Sequence, residues 1–528
     1  MVMIYGLTSV TEPEARFPTV YFHLGIIDYI TRHHTVDPYY DAYFNWPGFF
    51  ILAAFIQAVT HTPSASLLAF TAWAPLISSA LYLGPLWILV SGITPDKKLC
   101  WLAILFFYIF DWIGQDYFSP QGLNYVLYLL LLGILVTSFR TVTGQSFRAA
   151  LASLSTSQAS ARLPWRPALS RTIHNGTWRG AAQAIFLLSL VLALIVTSIV
   201  SHQLTPFAML VQVTGLVLIG RIRTRLLPLF ILVAALTWVS YMAEPFLAGN
   251  IKMLIGDLGS VNGSVNANVS GRLHGSAQHA VILKICEGIT VLLWALAGVG
   301  EAFLLWTGRR DPIPVVLGFA PFCLLVLQSY GGEMLLRVYL FGLPGMAFLA
   351  AALFRGDLTK HISMVRTATL FILGSIVVVL FLFARYGNER MDYVRHGDLA
   401  AVRFFYAVAP PHAAFLGLVP YSPFGLERIE VYTYDTLEPL SFSLETDKEG
   451  VARGNTIIPL INKLRSFCPR PSYFTISPEQ IAEIELFSGV PSSSIARYMG
   501  LLHSSKSLQK VFNFDGAQVY RLAHGCRN

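Results

Sequence analysis

Ten apolar stretches divide this chain, near residues 66–91, 99–113, 122–139, 181–200, 206–220, 226–242, 281–306, 313–328, 336–354 and 367–385. A membrane-crossing helix needs about 20 mostly apolar residues; the stretch at 206–220 is short of that and is the least secure. Only 12% of the residues are charged and 55% are hydrophobic, with a mean hydropathy of +0.58, whereas soluble chains carry about 25% charged residues. The fold class expected is therefore mainly α: a polytopic membrane helix bundle.

The basic residues orient the bundle. Loops 92–98, 140–180, 221–225, 307–312 and 355–366 hold two, six, three, two and three Lys or Arg, sixteen in all. The alternate loops at 1–47, 114–121, 201–205, 243–280 and 329–335 hold four. The positive-inside rule assigns the first set to the cytoplasm. The net charge of +8 is then mostly loop arginine beside anionic lipid, which points to the bilayer as partner and not to nucleic acid. The expected location is the cell membrane, multi-pass, with residue 1 and residues 386–528 outside the cytoplasm. An external start with no leader before it means either that a further helix precedes residue 1, the favoured reading, or that the N-terminus is translocated unaided.

Three regions follow: 1–60, an external first loop; 61–385, the transmembrane bundle; and 386–528, a small α/β domain. In the first, Tyr21, Leu24, Ile27, Asp28 and Ile30 space an amphipathic helix. The apolar run 48–60 is too short to span and reads as interfacial or re-entrant. Loop 140–180, rich in Ser, Ala, Thr and Arg and without acid, reads as disordered. Loop 243–280, with Gly259–Asn266, is either a lid or a plain linker. In the last region, 471–476 reads as a strand and Ser477-Pro478 opens a helix to about Phe487. Residues 492–503 form another helix, and 511–520 form a hairpin turning at Asp515-Gly516. Cys468 and Cys526 lie outside the membrane, as a disulfide or as two thiols.

Four polar groups carry candidate chemistry. The short hairpin Asp111-Trp112-Ile113-Gly114-Gln115-Asp116-Tyr117-Phe118-Ser119-Pro120-Gln121 puts two carboxylates at the membrane edge, where ionisable groups usually face a cavity. Asp111 and Asp116 suit a divalent metal, Mg or Mn, that binds phosphate oxygens. Glu333 and Arg337, four apart, either pair along one helix face or leave Arg337 to grip a phosphate through its planar head. His202 sits in the tight turn Ser201–Pro206. Glu12, Glu14, Asp28, Asp37 and Asp41 lie in the first loop, where a carboxylate base able to deprotonate a hydroxyl is expected. The chain holds no Walker loop, no Gly-x-Gly-x-x-Gly, no His-Glu-x-x-His and no Cys-x-x-Cys, so ATP-driven transport and zinc proteolysis have no support.

This layout resembles the GT-C superfamily of polytopic glycosyltransferases, in particular its uncharacterised actinobacterial members. Trp46-Pro47-Gly48-Phe49-Phe50 and the short helix after it look like the interfacial helix of that family's first external loop. Gln115-Asp116-Tyr117 looks like its second-loop acid, and Glu333 to Arg337 like a donor-phosphate motif. The resemblance implies a polyprenyl-phosphate-linked sugar donor and an envelope glycan or protein acceptor. It implies a first-loop base among Asp28, Glu12, Glu14 and Asp41, with Asp116 binding metal or positioning the acceptor. Arg337, Glu333, His202, Gln121 and Tyr117 are then the substrate-binding candidates. The family's first span is absent here, and its acid usually follows that span closely, which favours Glu12 or Glu14; the helical context favours Asp28. The rival reading is a transporter or flippase for a lipid-linked or small polar substrate, which would place polar groups near mid-membrane. A third is a non-catalytic assembly partner of envelope enzymes.

Overall fold

The computed structural model describes residues 2–141, 178–257, 275–309, 311–326, 333–355, 364–420, 422–437, 445–446, 452–453 and 456–526. Six helices are long and apolar enough to cross a membrane: Ser64–Ile93, Pro120–Ser138, Gly180–Ser201, Ala277–Trp306, Met334–Arg355 and Thr367–Tyr386. Leu227–Tyr241 bends by 82° into a following helix and counts as a seventh if the pair is one span. The segments expected near 99–113, 206–220 and 313–328 form shorter helices: Lys97–Phe110, Thr205–Leu218 and Ile313–Phe319, the last running into a 3-10 helix, Ala320–Val326.

Two polar ends explain how the short helices fit. At one end Arg355 meets Asp96 at 2.7 Å and Arg140 meets Asp311 at 2.5 Å. There Arg140 also donates to the Gly92 carbonyl and pairs by its backbone with Ile222. These are the basic loops of the sequence, gathered together. At the other end Arg385 meets Asp116, and Arg16 meets Asp392. Lys97–Phe110 starts at the first end, capped by Asp96, and finishes at Asp111 in the second. Its 14 residues span about 21 Å at 1.5 Å each, so it runs from end to end although it is short, and it is buried along most of its length.

Proline shapes the bundle's core. Pro344, inside Met334–Arg355, has no amide hydrogen for the carbonyl of Leu340. The buried Tyr125 hydroxyl donates to that carbonyl at 2.7 Å, and Tyr128 donates to Phe341's at 2.7 Å. In hydrocarbon an unpaired carbonyl costs several kcal/mol, which is why tyrosine suits these positions on Pro120–Ser138.

The first loop folds as expected around an amphipathic helix, Thr19–His33, and an apolar helix, Gly48–Thr60. Loop 243–280 departs from expectation, because its first half is the helix Glu244–Asp257. A proline at 245 in the first turn and an acid at 244 favour that helix start. The Gly259–Asn266 stretch and residues 142–177 lie outside the described residues.

The C-terminal domain is a small α/β unit. Its strands are β1 (Ala414–Gly417), β2 (Thr433–Thr436), β3 (Glu445–Thr446), β4 (Ala452–Arg453), β5 (Ser472–Ile476), β6 (Leu508–Phe514) and β7 (Ala517–Leu522). Five form one sheet in the order β2-β1-β5-β7-β6, in which β1 runs parallel to β2 and β5. Helices Pro478–Leu486 and Ser492–Ser504 and the Asp515-Gly516 turn, with positive φ at both residues, stand where the sequence put them. Cys468 and Cys526 form a disulfide. Thr19–His33 binds this domain to the bundle. Gly25 comes so close to Gly425 that any Cβ at residue 25 would overlap the Gly425 carbonyl oxygen.

Candidate functional site

The second-loop hairpin is held by helix ends. Phe110 closes one helix, Ser119 caps the next by accepting from the Gly122 amide, and Gly114 turns between them at φ +72°. This brings Asp116 inside. Its carboxylate accepts two bonds from Arg385 Nη2, at 2.7 and 2.9 Å, and one from the Ser79 hydroxyl at 3.0 Å. The side chains of Arg385 and Asp116 are 1% and 3% exposed, so this is a buried ion pair with its hydrogen-bonding capacity well used.

Arg16, from the first loop, is the second buried cation. Its Nε donates to Glu389 at 2.7 Å, and its Nη2 donates to the Arg385 carbonyl at 2.9 Å and to Asp392 at 3.2 Å. The guanidinium also lies 4.3 Å from the centre of the Phe17 ring. The remaining Nη1 atoms of Arg16 and Arg385 converge on Gly114. They lie 3.6 and 3.8 Å from where a Cβ on that residue would sit. Arg385 Nη1 is buried and has no hydrogen-bond partner among the described residues. Two guanidinium nitrogens thus meet beside Gly114, the donor pairing that suits an anionic oxygen.

Of the five first-loop acids, Glu12 alone joins this cluster. Burial and then the charge of Glu389 push its carboxyl up to about 9, against a pull downward from Arg16. Glu12 therefore holds a proton at neutral pH, the wrong form for a resting base. Glu14 pairs with His396 at 2.9 Å. Asp28 pairs with Arg32 and accepts from the Arg428 amide, while Arg32 reaches Glu430. These bonds clamp the amphipathic helix to the C-terminal domain. Asp41 caps a 3-10 turn through the Tyr43 amide, and Asp37 accepts from the Tyr39 amide.

Asp111 ends the helix before the hairpin, buried at 4% exposure, and no described residue hydrogen-bonds its carboxylate. Tyr117 packs against Phe17 and stacks on His23. Gln121 is buried in the first turn of the next helix, and its amide has no partner among the described residues. His202 and Arg337 form a separate group. His202 Nδ1 accepts from the amides of Leu204 and Thr205. Burial and then the Arg337 charge push its pKa down to about 3. Arg337 pairs with Glu333 at 2.8 Å, the helix-face pairing that their spacing allows.

A divalent metal at Asp116 and Asp111 finds little room. The Asp116 oxygens are occupied by a guanidinium and a hydroxyl, and no group of three His, Cys, Asp or Glu able to hold a metal occurs among the described residues. The donor set present fits an arginine counter-ion in that place.

The sequence reading missed Arg16, Arg385, Glu389, Asp392 and Ser79. Two signals were available: Arg385 is a cation in the last turn of an apolar helix, and Arg16 is one of two Lys or Arg in residues 1–47.

No family profile matches this chain, and no curated protein does. Among solved structures it is similar to the Archaeoglobus fulgidus oligosaccharyltransferase tethered with an acceptor peptide. The TM-score is 0.49 at 12% identity, over 93% of this chain and 70% of that one. It is also similar to ArnT from Cupriavidus metallidurans bound to undecaprenyl phosphate, with TM-score 0.45 and 12% identity over 98% and 96% of the two chains. Against the apo state of that protein the values are 0.42 and 12%, over 100% and 97%.

Proposed function

We propose that this chain is a GT-C-type membrane glycosyltransferase. It moves a sugar from a polyprenyl-phosphate carrier to a cell-envelope acceptor on the extracytoplasmic face. The observation that carries this is the convergence of Arg16 and Arg385 beside Gly114, with Asp116 held on the same Arg385 guanidinium. One Arg385 nitrogen fixes the carboxylate and the other is left to bind the donor phosphate. Asp116 and the donor phosphate then share one guanidinium. This moves the phosphate role from Arg337, which sits with His202 and Glu333, to Arg16 and Arg385.

In the reaction the acceptor oxygen bonds to the anomeric carbon as its proton passes to Asp111, the hairpin carboxylate that no described residue hydrogen-bonds, while Asp116 holds Arg385 in place. The anomeric C–O bond breaks, and its electron pair leaves on the polyprenyl phosphate, where the two guanidinium groups stabilise the developing charge. Depth supports a lipid-borne donor. Ser79, which holds Asp116, and Gly92, at the basic end, lie 13 residues apart on one helix, about 20 Å. A hydrocarbon layer of about 30 Å with the basic end at its surface leaves the site about 10 Å inside the opposite face. A carrier phosphate reaches that depth from within the leaflet.

The test is transfer from a radiolabelled polyprenyl-phosphate sugar in proteoliposomes. Asp116→Ala and Arg385→Ala should each lower transfer by about 10²-fold or more. Full activity in both would end the assignment.

A further inference from the structure

A cleft of about 400 Å³ opens where the amphipathic helix meets the C-terminal domain, lined in part by Pro18, Thr19, Phe22, Phe424, Tyr434 and Asp435. We infer that this cleft binds a neutral carbohydrate, the glycan portion of the acceptor. The inference rests on the transferase reading for its role as acceptor site, but not for sugar binding itself.

Location is the first argument. The cleft sits at the carboxyl ends of β1 and β2, adjacent parallel strands, and that end of a parallel sheet is where ligands of open α/β sheets bind. Its volume is within the roughly 300–1,000 Å³ range of small-molecule sites.

Chemistry is the second. Phe22, Phe424 and Tyr434 supply rings and two prolines supply flat apolar faces. Rings of this kind give large rigid contact area to the C–H faces of a pyranose. The phenylalanine is placed deliberately: a Cβ on Gly417, the last residue of β1, would meet the Phe424 ring at 2.8 Å. Polar groups stand between the rings. Thr19, Ser422, Asp435 and Thr436 all line the cleft. The buried Ser422 hydroxyl has no hydrogen-bond partner among the described residues. Lys463 neutralises Asp435 at 2.7 Å, and among the described residues no lysine or arginine lines the cleft. Hydroxyl-rich neutral ligands match this surface, and phosphate does not.

Continuity is the third. Pro18 and Thr19 in the cleft wall directly follow Phe17, which packs on Tyr117 and carries the Arg16 guanidinium. The cleft wall is therefore next in the chain to a ring that packs on the Asp116 hairpin.

Saturation-transfer NMR on the full chain in nanodiscs would test this, with maltotriose, mannotriose and cellotriose as probes and a neutral hexapeptide as competitor. At least one trisaccharide should receive saturation. Phe424→Leu should weaken its binding by about tenfold, the worth of one ring contact. Thr19→Trp, which fills the cleft from its half-buried edge, should abolish the signal. No saturation of any trisaccharide, an undiminished signal in Thr19→Trp, or displacement of the sugar by the hexapeptide would each overturn the proposal. Transfer measured beside it separates the two readings. Sugar binding without transfer removes the transferase and leaves the cleft, whereas transfer without sugar binding removes the cleft alone.

Discussion

Removing the Arg385 guanidinium while keeping Asp116 gives the sharpest test of the site. Arg385 supplies two of the three hydrogen bonds to that carboxylate, and neither side chain is more than 3% exposed. In Arg385→Leu only the Ser79 hydroxyl remains to an acid sealed from water. Breaking a buried pair by deleting one partner costs about 3–5 kcal/mol, whereas replacing both partners with apolar groups is often neutral. Arg385→Leu and Asp116→Leu should each lose about 3–5 kcal/mol, and the double variant should recover most of it, a coupling of about 3 kcal/mol or more. The assay is equilibrium unfolding in mixed micelles, followed by tryptophan fluorescence, on all four proteins. Single variants within about 1 kcal/mol of the native chain, or simple additivity in the double, would refute the buried-pair argument. Transfer gives an independent answer. The double variant should be folded and inactive, and an active one would show that neither side chain takes part in the reaction.

Three further outcomes follow from the charges and the topology. Glu12, raised to about 9, binds its proton more tightly folded than unfolded. Its stabilising contribution is therefore full below about pH 4.5 and is lost as pH rises toward 9. Thermal scans of Glu12→Gln should show that decline flattened, and an unchanged slope between pH 5 and 9 would count against it. His202, pushed down to about 3, is neutral in the fold, so its contribution is full above about pH 6.5 and fades as pH falls toward 3. His202→Gln should flatten the acid side of the profile in the same scans. Alkaline phosphatase fused after Tyr386 should be active and a fusion within 140–180 silent; the reverse would put Asp116 in the cytoplasm, where the lipid-linked donor scheme fails.

The sequence showed the bundle because hydrocarbon leaves few choices: each apolar run must be a helix, and arginine count sorts its ends. The Arg140–Asp311 and Arg355–Asp96 pairs hold together the loops that were grouped by charge alone. Lys97–Phe110, at 14 residues, is shorter than a usual crossing helix, but both of its ends are polar. Asp116 was legible as an acid in a short loop between two apolar runs. Its partner was not. Arg385 lies 269 positions away, and at the end of an apolar helix an arginine reads as an interfacial anchor until the fold turns it inward. Arg16 was hidden among first-loop acids that were easier to weigh as bases. The fold divides those acids by what they touch: Asp28 goes to the domain clamp, Glu14 to His396, and Glu12 to the cations. Spacing along the chain marks which residues are ionisable and where the membrane ends. Which carboxylate meets which guanidinium depends on how the amphipathic helix and the last span dock against the second loop. That docking is fixed by side-chain packing between elements far apart in sequence, as at Gly25 on Gly425 and Phe17 on Tyr117.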